Sequence, residues 1–274
     1  MTEQNKVSVM TKPEVYLVGI QTTNDAEIDR FLADHGVSWE SDSEVAGEVL
    51  AETAGRVCYM SFAKPRPGGN QAYLHHIKEV GHGSVLEHAV WNLLITGVSR
   101  SLTHELVRHR AGWGYSQLSQ RYVDESIAEY VEPDVIASDP EMHAVWLNAV
   151  SHAHSAYVKL AELLNAKLAD PKAAAASMLP ADADRTLRRK TARQAARSVL
   201  PNATETKIFV TVNARAARHF FEQRGSRHAE PEIRKLAFAI YHVLSKSAPN
   251  LFGDYEVTAL ADGTFELTTK FPKV

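Results

Sequence analysis

Strand-like and helix-like stretches follow one another along this chain in an order that no regular βαβ rhythm fits. "EVYLVGI" (14–20) has the character of a buried strand, and "HAVWNLLITGVS" (88–99) has the β-branched and aromatic make-up of another. Two helical patterns separate them. "SEVAGEVLAETAGRVCYMSF" (43–62) reads as a helix running into a turn, and "NQAYLHHIKEVGHGS" (70–84) as a helix that ends at Gly81. A further helix begins with Ser101 as N-cap and runs to about Arg110, where Gly112 supplies a stop. From about 139 to 200 the chain is rich in Ala, Leu and Arg and mostly helical, punctuated by Pro171, Pro180 and Pro201. "ETKIFVTV" (205–212) is a strand leading into a helix at Asn213, and Pro231 suits the first turn of a helix reaching Lys246. "YEVTALADGTFELTT" forms a β-hairpin around Asp262 and Gly263. The expected class is therefore α+β, a mostly antiparallel sheet packed by helices with an added helical segment. No Pro- or Gly-rich linker divides the chain, so one domain is expected over 1–274, with a polar tail (1–13) and a C-terminal hairpin extension (254–274).

A net charge of −3 argues against a general nucleic-acid binder, so any anion site has to be a local basic pocket. The single cysteine, Cys58, rules out an internal disulfide and a Cys-rich metal site and fits a reducing cytoplasm. No apolar run approaches the ~20 residues of a membrane helix. The N-terminal "MTEQNKVSVMTKPE" lacks the apolar core of a signal peptide. A cytoplasmic protein without membrane or nucleic-acid partners is expected.

"RHRAGWGYSQLSQRYV" (108–123) gathers Arg108, His109, Arg110 and Arg121 with no acidic residue among them. At a helix C-terminus such cations meet the negative end of the macrodipole, and that alone could explain them. If "QLSQRY" is extended, Gln117, Ser119 and Arg121 share one face, with Leu118 on the other. An amide, a hydroxyl and a guanidinium then make a site for phosphate, which the Arg fork matches bidentately.

"GHGSVLEH" (81–88) spaces its histidines unlike a zinc motif, and no metal site is expected. It reads either as a tight turn offering backbone N–H groups and Ser84 to an anionic ligand, or as a plain helix-to-strand connection. In the basic helix of 181–201, Arg193 and Arg197 share a side, and Arg197 is the one expected to enter a pocket. In "NARAARHFFEQRGSRHAE" (213–230), the helical step puts Arg215 and His219 on one face and Arg224 opposite. Two working faces on one helix suit a subunit interface. Cys58, between apolar neighbours, reads as a buried structural thiol.

Taken together, "GHGSVLEH", "LVRHR" followed by "SQR", "ARSVLP", and "VNARAARHF" followed by "HAE" resemble the flavin-dependent thymidylate synthases, the ThyX family. The resemblance covers most of the chain, and the order and spacing of the linked motifs are what make it specific. It implies an FAD enzyme that methylates dUMP to dTMP, with methylenetetrahydrofolate as carbon donor and NADPH as reductant. It also implies a homotetramer with active sites shared between subunits. By the same resemblance Ser84, Arg108, His109, Arg110, Gln117, Asn213, Arg215 and His219 contact FAD. Glu105, Arg108, Gln117, Leu118, Ser119, Arg121, Arg197 and Arg224 hold dUMP, with the phosphate near Ser119 and Arg121. Arg224 is the catalytic group, stabilising the ionised uracil. Two departures stand out: an extra residue between Arg110 and Ser119, and Glu105 where the family often has Gln. They leave open a related flavin enzyme acting on another uridine nucleotide. From a different class, a non-catalytic nucleotide- or RNA-binding protein would use the Arg-rich helix.

Overall fold

The computed structural model describes residues 7–63, 67–176, 179–180 and 182–274. The strands are β1 (Ser8–Met10), β2 (Glu14–Ile20), β3 (Val90–Ser99), β4 (Trp113–Gln117), β5 (Glu129–Val131), β6 (Glu205–Asn213), β7 (Tyr255–Ala259) and β8 (Phe265–Thr269). Helices α1 (Asp25–Asp34), α2 (Ala46–Tyr59) and α3 (Gly69–Glu79) precede β3, and α4 (Arg100–Leu106) follows it. Four more fill the middle: α5 (Asp134–Ala137), α6 (Pro140–Leu168), α7 (Pro171–Ala176) and α8 (Arg185–Ala196). Helices α9 (Ala214–Arg224), α10 (Pro231–Ser247) and α11 (Pro249–Phe252) lead to the antiparallel β7–β8 hairpin. The class is α+β, as the sequence indicates.

The chain forms two compact units, each assembled from separate segments. It passes between them within β3, α4, β4 and β6, so no linker marks the boundary. The smaller unit holds 1–12, 96–104 and 117–207. There β1 pairs in parallel with β5, and Val7, Tyr130 and Val150 form a core. Helix α6 begins where the Asp139 carboxylate accepts from the backbone N–H groups of Glu141 and Met142, with Pro140 in the first turn. It packs along α8.

The larger unit holds 13–95, 105–116 and 208–274. Strand order in the four-stranded sheet is β2-β3-β6-β4. Alternation sends Leu93 and Ile95 of β3 and Ile208, Val210 and Val212 of β6 inward, where Phe220 and Phe221 of α9 and Leu236 and Ile240 of α10 are buried as well. The outer face is uncovered in part. Tyr16, Val18 and Ile20 on the edge strand β2 are 47%, 51% and 67% exposed, which corrects the expectation of a buried strand at 14–20. An all-apolar run marks a strand but cannot say that both faces are covered.

Two helix ends carry the motifs. Helix α3 closes with Gly81 in the left-handed region (φ 73°), its N–H donating to Lys78 O and that of His82 to Ile77 O. This capping arrangement needs glycine there. Helix α4 is shorter than expected: its cap is the hydroxyl of Ser99, which accepts from Leu102 N–H at 3.0 Å, and it ends at Leu106. Ser101 is therefore not the cap, and Arg108 to Arg110 lie beyond the helix, so the dipole reading does not account for them.

Helix α9 is pinned by a buried ion pair. The Arg218 guanidinium, fully buried, donates to both oxygens of Asp254 at 2.7 and 2.9 Å and to Leu251 O at 2.8 Å. Lys78 of α3 reaches the same carboxylate at 2.7 Å. Burial alone would raise the Asp254 carboxyl, but the hydrogen bonds and charge of Arg218, with Lys78, hold it well below the ordinary carboxylate range. The folded value lies below the unfolded one. The pair's stabilisation is therefore complete above about pH 4 and is lost as pH falls further. Asp254→Asn, which leaves a buried guanidinium uncompensated, should destabilise by about 3–5 kcal/mol at pH 7. Urea melts below pH 4 should then show a shallower acid loss in the variant than in wild type; equal slopes would mean that Asp254 does not carry the acid sensitivity.

Candidate functional site

A cavity of about 560 Å³ opens in the larger unit where the segment after α4 meets the start of α9. Arg108, His109, Arg110, Asn213, Arg215, His219 and Arg224 all line it. Seven residues singled out in the sequence thus come together, from stretches about a hundred positions apart. The segment is shaped by Tyr115, whose hydroxyl donates to Leu106 O at 2.9 Å and to His109 O at 2.6 Å. It satisfies the carbonyls that the end of α4 leaves without helical partners. Gly112 (φ 73°) closes the turn, and a Cβ there would lie 2.6 Å from the Asn213 amide and 2.7 Å from Ala216. Asn213 caps α9, its side chain accepting from Ala216 N–H at 2.8 Å.

Arg224 does not point away from Arg215 and His219, and the reading of α9 as two-faced is corrected. A helical side chain leans toward the N-terminus of its helix, and Arg224, at the last turn, folds back over the cavity. Its Nη1 pairs with Glu105 Oε2 at 2.6 Å and its Nε donates to His109 Nε2 at 3.1 Å. The support that α9 seemed to give to a shared interface site therefore falls away.

His109 is packed against Phe220, with ring centroids 5.1 Å apart, and near His219 at 6.0 Å. Burial, then the neighbouring Arg224 and His219, push its pKa down to about 4, against a smaller opposing pull from Glu105. It is neutral at pH 7, with Nε2 free of a proton and accepting from Arg224. Arg215 pairs with Glu87 at 2.6 Å, both close to half exposed. Such a surface pair is worth about 0–1 kcal/mol, so a ligand anion can displace Glu87 easily. Among the described residues Arg108 and Arg110 form no ion pair. The lining is cationic.

Glu87, Trp113 and Gln223 complete the lining and were not assigned from sequence. Glu87 lies inside "GHGSVLEH" and Trp113 inside the opening basic stretch, but neither residue type signals a ligand by itself. Ser84 faces a second cavity of about 320 Å³ in the same unit, which shares Arg215 and also touches Cys58, Tyr59 and His82. Cys58 is exposed, not the buried thiol expected. It sits on the outward side of the last turn of α2, where apolar sequence neighbours say nothing about burial.

In the smaller unit, β4 gives out at Gln117, and the chain turns with Tyr122 and Val123 N–H donating to Ser119 O. The extended "QLSQRY" is corrected accordingly. Gln117 Nε2 donates to Thr103 Oγ1 at 3.1 Å and Thr206 Oγ1 at 3.3 Å, Leu118 N–H donates to Lys207 O, and Ser119 Oγ accepts from Arg121 N–H. Arg121 Nε is buried without a partner. Arg197 caps α8 and is half-buried. Arg193 is spent on Tyr122 O and Asp124. An orphaned buried donor at Arg121 is costly in water-free surroundings, which an anion would relieve.

The family model for thymidylate synthase complementing proteins matches residues 42–250. The chain belongs to this family. It is 52% identical over 236 residues to a flavin-dependent thymidylate synthase of Mycolicibacterium gilvum, covering 85% of this chain and 89% of the relative. It is 51% identical over 241 residues to that of Mycobacterium sp. strain JLS, covering 87% and 91%. Among solved structures, the UMP/dUMP methylase PolB of Streptomyces cacaoi bound with 5-Br dUMP superposes with a TM-score of 0.61 at 18% identity, over 90% of this chain and 96% of the other. The same protein bound with 5-Br UMP gives 0.61 at 20%, over 90% and 95%. At that identity the likeness shows the family fold.

The neutral His109 can be checked by imidazole NMR. The His109 resonances should titrate with a midpoint near 4, and in Arg224→Leu the midpoint should move up because one of the depressing charges is gone. A wild-type midpoint above 6 would show that His109 is not packed against Arg224 as described.

Proposed function

We propose that this chain is a cytoplasmic flavin-dependent thymidylate synthase, acting as one catalytic domain that methylates dUMP to dTMP with methylenetetrahydrofolate as carbon donor and NADPH as reductant. The observation that carries the reading is the cationic cavity, in which residues of separate family motifs converge while Arg108 and Arg110 keep no carboxylate partner. Its donors suit FAD: guanidinium groups for the diphosphate, Trp113 for a flat aromatic ring, and a glycine turn that allows close approach. Arg108, His109, Arg110, Asn213, Arg215 and His219 would hold the cofactor, with Ser84 and Gln117 contributing as the family resemblance implies. Bound in reduced form, FAD supplies the hydride that completes the methyl group.

This chain's own residues bind and orient. Ser119 and Arg121 take the nucleotide phosphate, a role favoured by the partnerless Arg121 Nε. Gln117, Leu118 and Arg197 add nucleotide contacts. Glu105 is the acceptor for the uracil N3–H, and Arg224 stabilises the negative charge left on the ring. A homotetramer fits the uncovered sheet face, where Tyr16, Val18 and Ile20 stand out beside Phe209, 39% exposed.

The purified protein should be yellow or take up FAD, and should form dTMP from dUMP, methylenetetrahydrofolate and NADPH. UMP tested in place of dUMP decides between this and an enzyme for another uridine nucleotide: a preference for UMP would overturn the dUMP assignment. Colourless protein that ignores FAD but binds RNA in a salt-sensitive way would overturn the enzyme reading. Arg121→Ala should weaken dUMP binding by roughly 1.5–3 kcal/mol while leaving deoxyuridine binding nearly unchanged. Equal losses for both ligands would remove Arg121 from the phosphate.

A further inference from the structure

Glu230 stands in no role assigned above. It occupies the N-cap position of α10, where Arg234 N–H donates to its backbone carbonyl at 3.0 Å, and its side-chain carboxyl is hydrogen-bonded to that of Glu105. Two carboxyl groups can hydrogen-bond to one another only by sharing a proton, because two carboxylates both accept and repel. Glu105 Oε2 in turn receives Arg224 Nη1 at 2.6 Å, and Arg224 Nε reaches His109 Nε2 at 3.1 Å. The four side chains form one line: Glu230, Glu105, Arg224, His109.

Two ends of this line behave differently with pH. His109 is neutral throughout the working range, so it does not vary the hold on Arg224. The carboxyl pair does. While it keeps its proton, Glu105 and Glu230 share a single negative charge and Glu105 pulls on Arg224 with only part of it. Once the proton leaves, Glu105 is a full carboxylate and clamps the guanidinium. Partial burial raises the Glu230 carboxyl first, then its bond to Glu105 and the charges of Glu105 and Glu232, so the proton is held above the ordinary glutamate range.

We propose that Glu230 is a positioning residue: by sharing a proton with Glu105 it sets how tightly Arg224 is held, and so how readily Arg224 turns to the ionised pyrimidine. The proposal rests on the function given above, since it is Arg224's role toward uracil that Glu230 would govern. It also addresses the departure at 105, because a full carboxylate there would compete with the uracil anion for the same cation. A half-neutralised one competes less.

The test is Glu230→Gln, in which an amide donates to Glu105 and no shared proton remains. Wild-type kcat should fall on an alkaline limb as the pair loses its proton; in the variant that limb should vanish. Its kcat should lie roughly tenfold below wild type, with KM for dUMP changed much less. Superimposable kcat–pH profiles in two folded, FAD-loaded proteins would overturn the proposal. A readout independent of turnover is the ¹³C titration of the glutamate carboxyls. In wild type one carboxyl of the pair should titrate above the ordinary range, and that step should be missing from Glu230→Gln. Two independent, ordinary titrations for Glu105 and Glu230 would overturn proton sharing whatever the enzyme does. A raised, shared step in a protein that fails to convert dUMP would instead overturn the reading of function, leaving the carboxyl pair established.

Discussion

The bidentate contact between Arg218 and Asp254 is the constraint on which the site depends. Arg218 lies on the inward side of α9, between the cavity residues Arg215 and His219, and its guanidinium is fully buried. A buried charge without a partner is far too costly, so the fold must bring Asp254 to it. That requirement ties α9 to the start of the C-terminal hairpin, where Thr269 Oγ1 also donates to Asp254, and through Lys78 to α3 and its glycine-capped end. The Tyr255 hydroxyl adds a bond to Arg218 O at 3.1 Å. Helix α9 is held from behind, and its outer side is left to face the cavity.

With the helix fixed, the electrostatics of the cavity follow from which charges are neutralised. Glu105 answers Arg224 and Glu87 answers Arg215, the latter weakly because the pair is exposed. His109 adds no charge at neutral pH. The excess is the unpaired positive charge of Arg108 and Arg110, displayed just beyond the end of α4. In a protein of net charge −3 such a concentration has to be local, and its most economical use is to attract an anionic ligand to one place.

Much of this was legible in the sequence, for identifiable reasons. Period-2 apolar patterns gave β3 and β6, Gly81 gave the end of α3, and Asp262-Gly263 gave the hairpin, since each depends on local backbone chemistry. The convergence of "RHR" with "NARAARH" came from linked motifs and the structure brings those residues to one cavity. What was misread depends on the third dimension. The uncovered face of β2, the exposed Cys58 and the turn after Gln117 are set by which surfaces other segments happen to cover. Arg224 was misplaced because a helical wheel locates Cα positions, whereas a long side chain at a helix end chooses its partners by charge. Glu230 escaped notice because a lone glutamate in "HAE" carries no signal until Glu105 is seen beside it.

The central claim is that the cavity formed by the segment after α4 and the start of α9 is the flavin site. The most direct measurement is the position of FAD in crystals of the protein grown with the cofactor. The account predicts density for the flavin in this cavity, its phosphates within hydrogen-bond reach of at least two of Arg108, Arg110 and Arg215, with the Glu87–Arg215 pair opened. Well-defined FAD bound elsewhere, with these arginines contacting only solvent, would contradict it.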